Sequence, residues 1–394
     1  MIAYISNNVL CVLMIINYDK FLSYHPRSQP VRHRRKVPFE PKLAIDLSTR
    51  EVVQTINRLD RELDRFILTA GDYLQLVTEA YASNIHWSTR LEGNPLSEEE
   101  VVRLTRSTFS GKEGERNPGP QQEIINHLYG HFLKDRLGLP WGTGTLSVVH
   151  HMLTEDTSTE GTPGEFRKGH ANILDGGEEV FVACPPEHIL EETGALLDWL
   201  SSAGQVLEPM VCSTVFFHEF ESIHPFRDGN GRVGRALFHL LLQEMGLRNS
   251  KLCKIDQQLL RRPSMYYDLL AYADEAGTYG ELIEYFSLCV LEAYRETLVK
   301  YKGKDMSNKG LDEASIRLMQ KARETKTPFT LREATGWVEG LGEQTVRARL
   351  NRLVNMGLLT KEGRTAGTRY KFLDPFEPFK ARVREKGYVQ NRLA

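Results

Sequence analysis

This chain of 394 residues has few cysteines, almost no excess charge of either sign, and no apolar run long enough to span a bilayer. Its 5 cysteines (Cys11, Cys184, Cys212, Cys253 and Cys289) are scattered, with no C-x-x-C pair. That spacing argues against a zinc site or a disulfide framework and for a reducing, cytoplasmic setting. A formal net charge of −2 gives no global push toward nucleic acid or membrane. The apolar run at 9–16 falls well short of the roughly 20 residues a transmembrane helix needs. It also lacks the basic start and small-residue cleavage site of a signal peptide. No internal repeat stands out. The 41% hydrophobic and 26% charged shares are ordinary for a soluble globular protein of two to three domains.

What the chain does have is concentrated in twelve residues, His224-Pro225-Phe226-Arg227-Asp228-Gly229-Asn230-Gly231-Arg232-Val233-Gly234-Arg235. Apolar helical patterns flank them, so they read as a loop leading into a helix. Gly229-Asn230-Gly231 permits positive φ, and successive N–H groups can then converge on an anion at the helix N-terminus. Arg232 and Arg235, three apart, share one face of the first turn and can clamp phosphates as two guanidinium forks. Asp228 is a hard oxygen ligand suited to Mg²⁺, which usually takes one or two carboxylates plus phosphate oxygens. His224 titrates near neutrality and can take a proton from an attacking hydroxyl. Phe226 reads as a core anchor. A lone Gly-Asn-Gly is usually just a turn; all these parts at this spacing are a nucleotide site.

The twelve residues match the Fic motif, H-x-F-x-[D/E]-G-N-G-R-x-x-R, at every specified position, and the chain resembles the Fic (Fic/DOC) family. The resemblance implies a mainly α-helical core and transfer of AMP from ATP to a hydroxyl of a target protein. His224 would be the base and Asp228 the Mg²⁺ ligand. Gly229, Asn230 and Gly231 would form the anion hole, with Arg232 and Arg235 on the outer phosphates. A second motif, Ser88-Thr89-Arg90-Leu91-Glu92-Gly93-Asn94, resembles the family's inhibitory pattern, [S/T]-x-x-x-E-[G/N]. Locally it reads as a helix that stops at Gly93-Asn94-Pro95. By the resemblance, Glu92 salt-bridges Arg235 and withdraws it from the γ-phosphate, and Ser88 opens that motif. Some relatives also use this glutamate to remove AMP again. An alternative reading from another class is a nucleotide-sensing, DNA-binding regulator with a Fic-like domain.

Other parts follow in order. Residues 1–37 read as a flexible N-terminal extension with a basic, proline-containing arm, and Met14 as an alternative start. Residues 38–120 read as an N-terminal helical region that includes the inhibitory helix, and 121–300 as the catalytic core. Gly164 to Lys168, Asn172 and Ile173 before a Gly176-Gly177 turn, and Val180 to Val182 read as a β-hairpin. It is either an ordinary surface hairpin or, by resemblance, a flap that pairs with the target segment. The resemblance lays Tyr266 along the adenine, although aromatics at helical spacing are commonly core.

Residues 305–375 show helical patterns at 311–322, 331–338 and 344–356, then a turn and an alternating stretch at 368–372. Three helices followed by a two-stranded ribbon is winged helix-turn-helix order. Thr345, Arg347, Arg349 and Arg352 put polar and basic groups on the third helix, and Lys361, Arg364 and Arg369 on the wing. DNA and a protein partner both remain open as its ligand. Residues 376–394 read as a C-terminal tail. The fold expectation is a mainly α Fic-type core with a small hairpin flap and a C-terminal winged helix. Expected partners are ATP, Mg²⁺ and a target protein with an acceptor hydroxyl, without a membrane. Homodimerisation stays open.

Overall fold

The computed structural model describes residues 16–27, 29–111, 119–132, 137–307, 311–325, 327–363 and 367–385. The chain enters with a 3-10 turn at Asp19–Ser23 and strand β1 (Val31–Arg32). Helix α1 (Leu47–Leu63) starts where the Asp46 carboxylate accepts from Thr49 N at 2.7 Å. It buries Val52, Val53, Ile56, Leu59 and Leu63, at helical spacing, and packs on α11. Helix α2 (Ala70–Leu91) is buried along most of its second half, and α3 (Glu98–Phe109) opens on a Ser97/Glu100 capping box. After α4 (Pro120–Gly130) and α5 (Thr143–Thr154) come strands β2 (Asn172–Asp175) and β3 (Glu178–Val182). The helical core closes with α6 (Ile189–Ala203), α7 (Pro209–Ile223), α8 (Asn230–Glu244), α9 (Ile255–Leu260), α10 (Pro263–Ala276) and α11 (Gly280–Lys304).

Almost every residue of α7 is buried, and it pairs with α8. A helix apolar on all sides must lie inside the protein. The loop between α7 and α8 is therefore fixed at both ends by the core. Phe216, Phe217, Phe226, Leu237 and Phe238, each at most 1% exposed, form the floor beneath it.

A second, smaller core gathers Leu318, Phe329, Val346, Leu350, Leu353, Leu359 and Tyr370. It belongs to α12 (Glu313–Glu324), β4 (Phe329–Thr330), α13 (Leu331–Gly336), α14 (Glu343–Asn355), β5 (Leu359–Glu362) and β6 (Arg369–Phe372). Ile67 joins this core, and Met306 N donates to Ile67 O at 2.7 Å, so the two units share a seam.

Several expectations change here. The lead-in through residue 37 is not a loose arm over its described part. Phe21 is 1% exposed against Tyr285, and β1 pairs parallel to β3 with Val31 opposite Phe181. Two residues of strand are too few to leave a periodicity. The suggested start at Met14 lies outside the described residues. The hairpin is confined to β2 and β3, with Gly164 to Lys168 outside it. The ribbon gains a third strand, in the antiparallel order β4-β6-β5.

Over its described part, the C-terminal tail is a packed helix, α15 (Glu377–Glu385). It returns to the main core, where Phe379 stacks on Tyr129 at 5.1 Å and meets Phe109 at 5.0 Å. The Arg382 guanidinium donates to Thr108 O at 2.6 Å. Phe379→Ala should cost about 3 kcal/mol or more, the usual range for emptying a buried aromatic site. Urea unfolding measures this, and a loss under about 1 kcal/mol would show that the tail is not packed there. Among the described residues no helix is long and apolar enough to cross a membrane.

Candidate active site

Helix α7 ends at His224, whose backbone takes the left-handed conformation (φ 52, ψ 60) while its N–H still bonds Phe220 O at 2.9 Å. A non-glycine residue there costs of order 1–2 kcal/mol, and the surroundings hold it in place. The Arg167 side chain donates Nε to His224 O (2.7 Å), Nη1 to Gly169 O (2.7 Å), and Nη2 to Cys184 O (2.5 Å) and Ile223 O (3.2 Å). Its backbone N–H bonds Pro225 O at 2.9 Å. Arg167, 6% exposed, thus ties the base of the loop to the segment before the hairpin. Arg167→Met would leave four carbonyls short of a donor. We expect a stability loss of about 3 kcal/mol or more at roughly 1–3 kcal/mol per orphaned group, read from urea midpoints. An unchanged midpoint would refute the clamp.

Inside the loop, Asn230 braces the turn: Oδ1 accepts from Phe226 N and Nδ2 donates to Phe226 O, both at 2.9 Å. The Phe226 ring is fully buried and stacked on His150, with centroids 3.8 Å apart. His150 Nδ1 accepts from Gly164 N at 2.8 Å, so its proton is on Nε2, 3.0 Å from Asp228 O. Gly229 (φ 80) caps α8, and the first N–H groups of that helix lie beyond the reach of helical bonding. The Asp228 carboxylate accepts from its neighbour Gly229 N (2.5 Å), from Arg232 Nη2 (3.3 Å) and from Glu160 N (3.0 Å). Its side chain is 38% exposed, the open rim of an otherwise buried cluster.

His224 Nδ1 lies 3.3 Å from Glu221 O. A carbonyl can only accept, so Nδ1 carries the proton and Nε2 keeps its lone pair. Burial, aided by the Arg167 cation, pushes the ring's pKa down to about 4 although Glu221 O, Glu92 and Asp228 favour protonation. At neutral pH the ring is therefore an unprotonated base.

Each arginine already holds a carboxylate. Arg235, 3% exposed, donates Nη2 to Glu92 Oε1 (2.7 Å) and Ser88 O (2.9 Å), and Nε to Ser88 Oγ (2.8 Å). Glu92 reaches it from the end of α2, where Gly93 N bonds Arg90 O and Asn94 N bonds Thr89 O, both 3.0 Å, closing a Schellman turn. A Cβ on Gly231 would run into the Glu92 carboxylate, so only glycine admits this approach. Arg232 pairs with Glu123 on α4 and with Asp228.

Sequence reasoning anticipated Ser88, Glu92, His224, Asp228, Gly229, Asn230, Gly231, Arg232 and Arg235, and the structure brings all of them together. Asn172 and Ile173 lie on the hairpin, with β2 at the free edge of the β1-β3-β2 sheet. Tyr266 is placed differently. It is 2% exposed with its ring stacked toward Phe286, and it acts electrostatically on Arg235 rather than presenting a face to an adenine. The exposed aromatic is its neighbour Tyr267.

Glu123, His150, Arg167 and Glu221 escaped the reading, because single polar residues in helices and loops leave no pattern. The Glu221 carboxyl is raised to about 8, by burial first and then by Glu92, against the pull of Arg235. Its Oε1 has no hydrogen-bond partner.

Residues 143–242 match the Fic/DOC family. These residues are a Fic/DOC domain. The chain is similar to the protein adenylyltransferase Fic of Nematostella vectensis, 26% identical over 257 residues, covering 59% of this chain and 57% of that protein. It is similar to that of Drosophila willistoni too, 27% identical over 295 residues, covering 70% and 56%. The chain thus spans roughly half the length of these curated relatives. A crystal structure of a Fic family protein from Desulfovibrio desulfuricans G20 superimposes with a TM-score of 0.57 at 23% identity, covering 85% of this chain and 98% of that one. The fold is shared.

The buried histidines of the Fic/DOC domain and its surroundings set an acid limit on stability. His131 is pushed to about 3 and His150 and His224 to about 4, burial being the main cause in each, and His127 is also lowered. In the unfolded chain each titrates near 6.5. The unfolded state therefore binds more protons, and stability falls as pH drops from about 6.5 toward 4. Glu221 acts in the opposite sense, stabilising below the ordinary carboxyl range and losing that contribution as pH rises through about 8. The buried His218, which the Asp274 and Glu219 carboxylates hold above its ordinary value against burial, acts with Glu221, and the four lowered histidines outweigh the two. Urea midpoints should be lower at pH 5 than at pH 6.5, and the reverse order would refute the assignment.

Proposed function

We propose that this protein is a nucleotidyltransferase that moves AMP from ATP to a Ser, Thr or Tyr hydroxyl of a target protein, and to itself, and that Glu92 holds it off at rest. What carries the reading is the neutral His224, with its Nε2 lone pair, fixed in one loop with Asp228 and the start of α8. The acceptor hydroxyl gives its proton to His224 Nε2 as its oxygen attacks the α-phosphorus. A P–O bond forms, the α–β anhydride breaks, and pyrophosphate leaves. The N–H groups opening α8 and the Arg232 guanidinium face the phosphate charge, and Arg235 takes the γ-phosphate once Glu92 lets go. Positioning and charge stabilisation do most of the catalytic work in such transfers.

The Asp228 carboxylate fits Mg²⁺: it is a hard oxygen ligand, 38% exposed, at the edge of the phosphate cradle. When bound there, the ion would offset charge on the phosphates. The edge strand β2, with Ile173 38% and Leu174 62% exposed, would pair with the target segment and present its hydroxyl. The same glutamate, Glu92, would position water where AMP is removed again.

We read the C-terminal unit as a winged helix-turn-helix that recruits DNA or a protein partner. Arg347 and Arg352 are exposed on α14, and they support this role. Arg349 does not, since it is tied to the α12 cap residue Asp312 at 2.5 Å. Arg364 lies outside the described residues. The exposed arginines also favour a second reading, a DNA-binding regulator that senses a nucleotide and transfers nothing. A cytoplasmic site of action goes with either reading.

Incubation with α-labelled ATP and Mg²⁺ separates the two readings. Self-labelling of Glu92→Gly is the expected result. ATP bound by that variant without any label would refute the transferase and leave the sensor.

A further inference from the structure

Glu123, the buried partner of Arg232, lies outside both sequence motifs, and its carboxylate faces two ways. One Glu123 oxygen takes Arg232 Nη1. The other accepts from Asn94 Nδ2 at 2.5 Å. Asn94 is also pinned elsewhere: Nδ2 donates to Pro120 O at 3.0 Å, and Oδ1 accepts from Leu96 N at 3.1 Å. Asn94 lies two residues beyond Glu92 in the same Schellman turn, its own N–H completing that turn on Thr89 O. Glu123 stands in the first turn of α4, where a carboxylate is favoured by the helix dipole.

Arg232, Glu123 and Asn94 are 6%, 7% and 9% exposed, so their mutual bonds are shielded from water. A buried guanidinium needs a fixed counter-charge, and a carboxylate bonded on both oxygens is itself fixed. Among the described residues Arg232 Nε is buried without a hydrogen-bond partner, and Glu123 and Asp228 take only two of the five guanidinium N–H donors.

We propose that Glu123 is a positioning residue for Arg232, and that Asn94 ties it to the turn that carries Glu92, so one segment governs both arginines of the loop. The inference rests on the transferase reading and deepens it. A shift of that turn, unlike a swing of the Glu92 side chain alone, would then move the anchor of Arg232 as well.

The test uses the full chain in the Glu92→Gly background, comparing Glu123→Gln, Arg232→Ala, their combination, and Asn94→Ala alone and with Glu123→Gln. Initial rates of transfer from α-labelled ATP and Mg-ATP binding by calorimetry are both measured, with circular dichroism to check folding. Glu123→Gln should lower kcat/KM about tenfold or more, and the double variant should be no worse than Arg232→Ala alone within about twofold, because residues acting as one unit are not additive. Asn94→Ala should cost about threefold, and nothing further once Glu123 is glutamine. Losses that multiply in the double variant, or an unchanged rate in Glu123→Gln, would overturn the proposal.

If Glu123→Gln does not fold, Asn94→Ala decides, and an unchanged rate there overturns the tie. If the Glu92→Gly parent binds Mg-ATP but transfers nothing, the transferase reading fails separately. The pair is then judged on binding, where a tenfold weaker Kd in Glu123→Gln, not compounded by Arg232→Ala, supports it and an unchanged Kd overturns it.

Discussion

Glu92→Gly should raise self-labelling from α-labelled ATP by about 10- to 100-fold over the wild type. The Arg235–Glu92 contact at 2.7 Å is charge-assisted, and Ser88 adds two more bonds to the same guanidinium. Hydrogen bonds to charged groups are worth roughly 1.5–3 kcal/mol, and each 1.36 kcal/mol is a factor of about ten. On the proposed reading, ATP displaces Glu92 before its γ-phosphate uses Arg235. The glycine variant skips that competition, while the Ser88 contacts keep the arginine in place. The Glu92 side chain is 28% exposed, so it can swing out without opening the core. Initial rates of label incorporation at equal ATP settle the matter. A Glu92→Gly protein that labels no faster than wild type would refute autoinhibition by this residue.

His224→Ala in the Glu92→Gly background should lose transfer by about 10²–10⁴-fold, the usual contribution of a positioned general base. Nucleotide affinity should stay within a few-fold, because the proposed phosphate contacts come from α8 and its arginines rather than from His224. The imidazole is a ready acceptor at neutral pH, as its one proton is engaged at Glu221 O. Alanine leaves the Arg167 clamp on His224 O available to hold the backbone, and removes the ring with both its lone pair and its bond to Glu221 O. Rate and Kd measured on the same preparation separate chemistry from binding. A residual rate within tenfold of the parent would mean that another group takes the proton.

Much of the site was legible because its chemistry is local. Twelve consecutive residues place His224, Asp228 and both arginines in one loop, and a helix stop at Gly93-Asn94-Pro95 marks Glu92. Helical patterns likewise anticipated the three helices of the C-terminal unit. Short or solitary features stayed hidden. The strands β1 and β4 have two residues each, too few for an alternating pattern. Arg167 reads as one basic residue in a glycine-containing loop until four carbonyls are seen around it. The last segment read as a tail because its apolar positions, Phe376, Phe379 and Val383, are few and scattered among charges.

By itself, then, the sequence determined which atoms are available to the proposed reaction: a base, a carboxylate, a run of backbone donors and the guanidinium groups of Arg232 and Arg235 in one short span. It also paired a glutamate with one of those guanidinium groups by likeness to known relatives. Tertiary structure decided what each group is bound to at rest. The packing of α2 against α8, and of α4 against α2, brings Glu92 and Glu123 to different arginines, although 143 and 109 residues separate the partners in the chain. Burial then turns His224 into a neutral base and leaves Glu221 protonated at neutral pH. Such effects depend on which surfaces exclude water from a charge, and that is settled only when distant helices close over it.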